Sequence, residues 1–312
     1  VDAHTRSAES MAASVGECLA GVSAVLARER PDLLLLLGDR GEMLAGAVAA
    51  LHLGIPSVHL HGGERSGTVD ESVRHAISKL ASYHLVATQE SRERLLRMGE
   101  LVDSIFVTGA PGLDGLEEDA GLAPDACRAA LGLPPGQHFI LALFHPVVQQ
   151  ADQAQAQTAA LIQALREVGL PVVWLEPNAD AGSLSVLAAL AAQVLPMGSV
   201  HLRHLPRPVY CAALRHAEAL VGNSSSGIIE AATFGTPVVN VGDRQRLRER
   251  NANVMDAEPA VAPIAAALRS QLQHGRWPCE NRYGDGCSGE RIARLLCTLP
   301  LDAAVLEKIN AY

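Results

Sequence analysis

The sequence predicts an α/β protein of two doubly wound domains with parallel sheets and a cleft between them. Short apolar runs without in/out alternation recur along the 312 residues, and helix-like segments separate them. Strands that are apolar on both faces are typical of parallel sheets covered by helices on both sides. The Pro/Gly-rich stretch at 132–136 separates two such series. We therefore expect one domain over residues 1–133 and a second, with terminal helices, over 134–312.

The elements of the first series are bounded by residues that end strands and helices. Residues 32–37 read DLLLLL and end at Gly38-Asp39, which indicates a buried strand followed by a turn. The Ala-rich segment 41–53 predicts a helix, because a glycine and a proline follow it. The other strands of this series are predicted at 57–61, 84–88 and 105–108, and its other helices at 7–29, 70–82 and 90–98.

The second series continues the alternation to the end of the chain. Its strands are predicted at 139–144, 172–176, 200–202, 218–221 and 238–241, and its helices at 155–168, 183–194, 208–216, 227–234, 258–272 and 288–298. The first series opens on a helix, whereas a doubly wound domain normally begins with a strand whose loop faces the ligand. We therefore expect an N-terminally truncated first domain.

Composition excludes several classes of protein. The formal net charge is -9 with only two lysines, so the chain lacks the basic face of a nucleic-acid binder. The run Leu33–Leu37 is too short to span a bilayer, and no signal peptide is visible. None of the six cysteines forms a CxxC pair, and no Cys/His group has zinc spacing. These features predict a cytoplasmic protein without a metal site and without membrane or nucleic-acid partners.

A serine-rich segment follows one predicted strand and opens a helix. It reads VGNSSSGIIE over 221–230. Small residues let the backbone approach a ligand, and free N–H groups at a helix start attract phosphate. Ser224 and Ser225 add hydroxyl groups, and Glu230, about one turn into the helix, could accept bonds from ribose hydroxyls. The alternative is a helix cap and a tight turn.

Two further motifs end strands of the first series. In GDR at 38–40, Asp39 could act as a base and Arg40 could pair with a phosphate, although an Asp here could merely cap the next helix. His59-Leu60-His61-Gly62-Gly63-Glu64 precedes a helix on which Asp70 faces Arg74, and Glu71 faces His75, at i,i+4. These pairs could be surface salt bridges, but so many ionisable groups beside two glycines also suit a substrate site.

Strand ends of the second series carry polar groups as well. His145 follows a predicted strand in FHPV, Asn178 follows another in NADAGS, and Arg244 follows a third in GDRQ. A lone histidine is often structural, whereas an arginine here could hold a diphosphate. Polar groups at several strand ends in both series are what a cleft enzyme requires.

Together these segments resemble hydrolysing UDP-N-acetylglucosamine 2-epimerases over residues 7–298. The segments are GDR at 38–40, HGGE at 61–64, DESVRHAISKLA at 70–81, FHPV at 144–147, NADAGS at 178–183 and GNSSSGIIEAATFGTPVVNVGDRQ at 222–245. The resemblance implies a GT-B-like fold of two Rossmann-like domains. It also implies an epimerase and hydrolase that takes UDP-GlcNAc, or a related UDP-2-acetamido sugar, to UDP and a free ManNAc-type sugar, as in sialic acid biosynthesis. UDP elimination would give a glycal, and water would then add. It also implies no metal or redox cofactor, and a homodimer or homotetramer.

The resemblance assigns roles to the matching positions. Asp39, Asp70 and His145 match catalytic positions, and His61 is a candidate acid or base where well-known members place a glutamate. That change points to a different sugar, such as a 2,4-diacetamido-6-deoxy substrate. The remaining positions are expected to bind the substrate or its UDP: Arg40, Glu64, Arg74, Asn178, Ser224, Ser225, Glu230 and Arg244. Family members also begin with a strand and a basic Gly-Thr-Arg type loop that this sequence lacks.

Three other functions are compatible with the same skeleton. A non-hydrolysing epimerase would return UDP-ManNAc, but the segment from His61 to His75 resembles the hydrolysing branch better. A GT-B glycosyltransferase would need an acceptor site, which the sequence does not reveal. An inactive nucleotide-sugar binding protein would bind the substrate without releasing UDP.

Overall fold

The computed structural model describes residues 8–67, 69–177 and 182–312. The strands are β1 (Leu34–Leu37), β2 (Ser57–Leu60), β3 (Tyr83–Val86), β4 (Ile105–Val107), β5 (Ile140–Leu143), β6 (Val172–Leu175), β7 (Val200–Leu202), β8 (Ala219–Gly222), β9 (Val238–Val241) and β10 (Val254–Ala257). The α-helices are α1 (Ala8–Glu29), α2 (Gly41–Leu53), α3 (Val69–Leu80), α4 (Gln89–Arg97), α5 (Leu116–Asp119), α6 (Pro124–Ala130), α7 (Ala154–Val168), α8 (Ser183–Ala192), α9 (Arg207–His216), α10 (Ser225–Ile229), α11 (Val261–His274) and α12 (Ser288–Leu296).

The chain divides into two compact units at positions that differ from the predicted boundary. One unit contains the described residues up to Asp114 together with Tyr283–Tyr312, and the other contains Gly115–Arg282. The sequence predicts a division near residue 133, but α5 and α6 precede that point and pack on α9 of the second unit. The terminal helix α12 returns to the first unit, because its buried Ile292 packs against apolar side chains of β2 and β3.

The first unit is a four-stranded parallel sheet in the order β1-β2-β3-β4. Val58 and Leu60 of β2 face α12. The opposite face packs on α2 and α3, where Leu36 contacts Ala47 and Ile77. Strands β2 and β3 are buried on both faces and read as continuous apolar runs. The prediction of a buried strand at 32–37 is wrong in this respect, because β1 lies at the edge of the sheet and its Leu35 and Leu37 are 46% and 54% exposed.

Helix α1 packs on α2 through Leu26, which contacts Ala49 and Ala50. By length and composition alone, its segment Glu9–Glu29 is the one helix in the described part of the chain that could cross a membrane. The core helix of a globular domain and a signal sequence near an N-terminus also satisfy these criteria, and only 6% of this segment is buried.

The second unit is a six-stranded parallel sheet in the order β10-β9-β8-β5-β6-β7. Its core lies around the fully buried Trp174 of β6, with side chains of α7, α8 and α11 packed against the sheet. Strands β5 and β8 are neighbours in register, with Leu143 opposite Gly222. The loops that follow these two strands therefore leave the same edge of the sheet, side by side. The predicted architecture of two parallel α/β sheets is confirmed.

Local sequence does not predict four elements correctly: one helix is shorter than predicted, and three short elements are missed. The helix predicted at 227–234 is the five-residue α10 followed by a 3₁₀ turn at Ala231–Phe234. This turn ends at Gly235, whose φ of 61° lies in the left-handed region. A side chain at this position would also overlap the backbone of Trp277. The short helices α5 and α6 and the half-exposed edge strand β10 are absent from the sequence predictions, because their apolar patterns are too short to indicate an element.

Candidate active-site residues

The turn after β1 places Asp39 at the carboxyl edge of the first sheet. Gly38 has φ 85°, a left-handed conformation that glycine adopts readily. The Asp39 side chain is 20% exposed. It is not the cap of α2, because Arg40 occupies the N-cap position and its side chain makes no capping bond. The capping alternative for Asp39 is therefore wrong.

A buried arginine on α3 holds the Asp39 carboxylate. Arg74 is only 1% exposed, and its Nη2 makes a close ion pair with Asp39 Oδ2. Its Nη1 donates to the backbone carbonyl of Glu64 at 3.1 Å. Burial of a charge is costly unless the charge is paired, so Arg74 ties the Asp39 turn to the loop that follows β2.

The loop after β2 pairs a histidine with a buried glutamate. His61 has φ 62°, unusual for a residue with a side chain. Its Nδ1 lies 2.5 Å from Glu64 Oε1, and Glu64 is 4% exposed. Gly63 must be a glycine, because a side chain there would overlap the backbone oxygen of Ser91. A carboxylate on one ring nitrogen leaves the other available for proton transfer.

The start of α3 carries a second set of charged groups. Glu71 Oε2 accepts bonds from the backbone N–H groups of Ser66 and Gly67, at 3.0 Å and 2.7 Å. Burial acts to raise the pKa of Glu71, but these N–H groups outweigh it and hold the pKa below its usual value. The predicted i,i+4 contact from Glu71 to His75 is present at 3.6 Å. Asp70 is half-buried in the first turn of the same helix.

His59, which the sequence motif includes but to which no role is assigned, is fully buried. Its Nε2 lies 2.8 Å from the carbonyl oxygen of Gly38, and its Nδ1 lies 2.9 Å from Ser78 Oγ. A carbonyl only accepts, so Nε2 carries the proton and the Ser78 hydroxyl donates to Nδ1. Burial lowers the pKa of His59 to about 3. This neutral histidine therefore fastens the Asp39 turn to α3.

In the second unit, the loop after β5 holds His145 against the loop after β8. The backbone N–H of His145 donates to Asn223 Oδ1 at 2.7 Å, and Asn223 Nδ2 donates to the His145 carbonyl at 2.8 Å. His145 is half-buried, and Asn223 is 2% exposed. The sequence predictions include His145 but not Asn223, although Asn223 lies inside the serine-rich motif.

The serine-rich motif forms a hydrogen-bonded chain that ends on Glu230. Ser224 caps α10, since its side chain accepts from the N–H of Ser226 at 3.4 Å. The Ser226 hydroxyl donates to Glu230 Oε2 at 2.7 Å, and the Tyr210 hydroxyl is in close contact with Ser226 Oγ. Burial raises the pKa of Glu230, while the Ser226 bond and the nearby Arg207 act in the opposite direction. Glu230 follows the last residue of α10 rather than lying within a longer helix.

The remaining predicted residues have varied surroundings. Arg244 is half-buried, and its Nη1 donates to the carbonyl of Asn223 at 3.0 Å. Ser225 is half-buried at the start of α10, whereas Arg40 is exposed. Asn178 lies outside the described residues.

These groups suit acid–base chemistry and the binding of a polar ligand. The first unit brings together the Asp39 carboxylate and the His61–Glu64 pair, which are groups that accept and donate protons. The second unit collects serine hydroxyls, Glu230 and Arg244, which are groups that bind ribose and phosphate. Within the parts of the chain that the structure describes, no group of three or more His, Cys, Asp or Glu side chains could hold a metal ion.

Two parallel-sheet units with polar and ionisable groups at their strand ends have the architecture of an α/β enzyme. More particularly, residues 1–297 match the UDP-N-acetylglucosamine 2-epimerase family, and the chain belongs to this family. The family resemblance of the sequence motifs is thereby confirmed.

Relatives with related activities cover most of the chain. The chain is 46% identical over 312 residues to the hydrolysing UDP-N,N'-diacetylbacillosamine 2-epimerase of Legionella pneumophila. This alignment covers 100% of this chain and 83% of the relative. It is 31% identical over 295 residues to the UDP-N-acetylglucosamine 2-epimerase of Neisseria meningitidis, covering 92% and 77%. The GDP/UDP-N,N'-diacetylbacillosamine 2-epimerase (hydrolyzing) of Campylobacter jejuni is 33% identical over 233 residues, covering 73% and 61%.

Solved structures share the fold at low sequence identity. The UDP-GlcNAc 2-epimerase from Neisseria meningitidis bound to UDP-GlcNAc has a TM-score of 0.79 at 18% identity, covering 91% of this chain and 81% of that one. The UDP-GlcNAc 2-epimerase from Methanocaldococcus jannaschii in complex with UDP-GlcNAc and UDP has a TM-score of 0.76 at 20% identity, covering 91% and 80%. Family membership, these relatives and the shared fold together make the chain a UDP-sugar 2-epimerase of this family.

Proposed function

We propose that the first unit carries out proton transfer at the sugar and that the second unit holds UDP. The observation that carries this proposal is the Asp39 carboxylate, held by the buried Arg74 beside the loop of the His61–Glu64 pair. The proton on sugar C2 is weakly acidic, so its removal needs a fixed and partly desolvated base. Asp39 meets that requirement at 20% exposure.

The proposed reaction has two steps. In the first step, a carboxylate takes the C2 proton and the bond from C1 to the diphosphate oxygen breaks. UDP departs, and the sugar becomes a 2-acetamidoglucal. Water then gives its hydroxyl to C1, while C2 receives a proton on the opposite face, so its configuration is inverted. Asp39 and Asp70 are the candidate carboxylates, and His61 exchanges a proton through the ring nitrogen that does not face Glu64.

The proposed binding roles follow from charge and exposure. Arg244, Ser224, Ser225, Glu230 and His145 would contact the nucleotide or its leaving diphosphate, where cations and donors stabilise the developing charge. Arg40 and Asn178 keep their predicted binding roles. Two other predicted binding residues, Arg74 and Glu64, are assigned to holding Asp39 and His61, because they are only 1% and 4% exposed.

We propose that the sugar is a 2,4-diacetamido-6-deoxy sugar carried on UDP. The 46% identity to the Legionella enzyme supports this choice, since that relative acts on UDP-N,N'-diacetylbacillosamine. The second candidate is UDP-GlcNAc, which would give ManNAc for sialic acid synthesis, and the Neisseria relative supports it.

The two substrates are distinguished by measuring UDP release from each at equal enzyme concentration. We expect kcat/KM for the UDP-diacetamido sugar to exceed that for UDP-GlcNAc by at least about tenfold, because a site that bonds the C4 acetamido group loses those bonds with a hydroxyl. Asp39→Asn protein supplies the control for contaminating activity. An equal or higher kcat/KM for UDP-GlcNAc would assign the enzyme to that sugar.

Two further properties rest on the resemblance. We propose a homodimer or homotetramer, as in the family, and a cytoplasmic location. All six cysteines are free thiols, which is consistent with a reducing compartment. A non-hydrolysing epimerase remains the alternative activity, and UDP-linked product in the assay above would favour it.

A further inference from the structure

Where β5 ends, side-chain hydrogen bonds from Asn223 take the place of the backbone hydrogen bonds between β5 and β8. Strands β5 and β8 pair up to Leu143 and Gly222, and the N–H of Asn223 adds one more bond to the Leu143 carbonyl at 3.0 Å. The next ladder position is filled by the Asn223 amide, which bonds both backbone groups of His145 at 2.7 Å and 2.8 Å. His145 is thus held by two bonds rather than by sheet structure.

The backbone of Asn223 has a second function in the same place. Its carbonyl accepts from Arg244 Nη1 at 3.0 Å and from Gln245 Nε2 at 3.1 Å. One buried residue therefore bonds both His145, through its side chain, and Arg244, through its carbonyl. These are two of the groups assigned above to the diphosphate.

The spacing of this arrangement is fixed by the preceding glycine. Gly222 has φ 138°, and a side chain there would overlap the backbone of Leu143. The ends of β5 and β8 therefore lie too close together for a side chain at position 222, and the Asn223 amide spans the gap to His145. Only an amide offers one donor and one acceptor in this geometry, whereas a carboxylate would set an oxygen against the His145 carbonyl.

We infer that Asn223 is a positioning residue, which sets the place of His145 through its side-chain amide and anchors Arg244 through its carbonyl. This inference rests on the proposed role of His145 at the leaving diphosphate. It predicts that the positioning of His145 can be disturbed without loss of the Arg244 anchor. A change of the Asn223 side chain removes the bond to the His145 carbonyl and leaves the bond from Arg244 intact.

The test is the isosteric substitution Asn223→Asp, with kcat measured by UDP release and UDP affinity by calorimetry. We expect kcat to fall about tenfold or more, because the loss of a buried bond displaces a catalytic group. We expect the affinity for UDP to fall by a smaller factor than kcat, because only the His145 contact to the diphosphate is disturbed while Arg244 keeps its backbone anchor. Asn223→Ser, whose hydroxyl cannot reach both groups, is measured in parallel and should show the same split if the aspartate variant does not fold.

A double-mutant cycle separates positioning from a general loss of structure. If Asn223 acts through His145, adding Asn223→Asp to His145→Ala should change kcat by less than about twofold. Asn253→Asp is the matched control, because Asn253 is 1% exposed and donates to the Thr236 carbonyl at 2.7 Å in the same unit. It should lower stability while keeping kcat within about twofold.

Three results would overturn the inference. The first is a near-normal kcat in the Asn223 variants while His145→Ala is impaired, and the second is losses that simply add in the cycle. The third is a near-normal kcat in His145→Ala, which removes the role of His145 on which the inference depends. The release of UDP by the unmodified enzyme tests the proposed function separately.

Discussion

Replacement of Asp39 by asparagine is expected to reduce turnover about a thousandfold, the size of effect that follows the loss of a general base. Asparagine has nearly the same shape as aspartate, but it cannot take up a proton near neutral pH. Its amide oxygen still accepts a bond from Arg74, which is 1% exposed and needs a partner. The fold should therefore persist, with a lower melting temperature. UDP release and thermal melting of the two proteins provide the comparison.

The matched control is Glu100→Gln, which alters a buried carboxylate of the first unit away from Asp39. Glu100 is 2% exposed and pairs with Lys79 at 2.9 Å and with Lys308 at 2.6 Å. This variant should lose stability to a similar or greater extent but keep kcat within about twofold. Wild-type rates in Asp39→Asn would remove Asp39 from the mechanism, and equal losses of turnover in both variants would attribute its effect to structure.

Replacement of Glu230 by alanine is expected to weaken UDP binding by roughly 10- to 100-fold, since hydrogen bonds to a charged group contribute about 1.5–3 kcal/mol each. Glu230 is held in place by the Ser226 hydroxyl at 2.7 Å. In the proposal it accepts bonds from the ribose hydroxyls, so its loss acts on the bound nucleotide rather than on proton transfer at C2. Calorimetry with UDP measures the affinity, and saturation kinetics should show a raised KM with a smaller change in kcat.

Glu280→Ala is the comparison for Glu230, because it removes an exposed carboxylate from the same unit. Its UDP affinity should equal that of the unmodified protein. An unchanged affinity in Glu230→Ala would refute the proposed ribose contact.

The sheets of this protein are largely predictable from sequence, because each buried parallel strand is a short apolar run. The prediction of strand 32–37 corresponds to β1 at Leu34–Leu37, and all nine predicted strands occur. The prediction is weaker where packing between distant segments decides the structure. The helix at 288–298 is correctly predicted, but its place in the first unit depends on Ile292 meeting β2 and β3, which no local pattern reveals.

The sequence predicts which strand ends carry the site residues, but it does not predict which side chains contact one another. Asp39, His61 and His145 follow strands, as predicted. Side chains at such positions can lie near one another, because the carboxyl ends of parallel strands meet at one edge of a sheet. The sequence does not reveal that Arg74 pairs with Asp39, 35 residues away. Nor does it reveal that Asn223 pairs with His145, 78 residues away. Such pairs depend on which strands are neighbours, and strand order is a property of the whole fold.

The most direct test of the central claim is NMR of the UDP-sugar incubated with the enzyme in deuterated water. Removal of the C2 proton followed by return of a solvent proton predicts UDP and a free sugar with inverted configuration and deuterium at C2. The signal of the C2 proton should be missing from the product at every stage of the reaction. A free sugar that retains this proton, or a product still attached to UDP, would contradict the account.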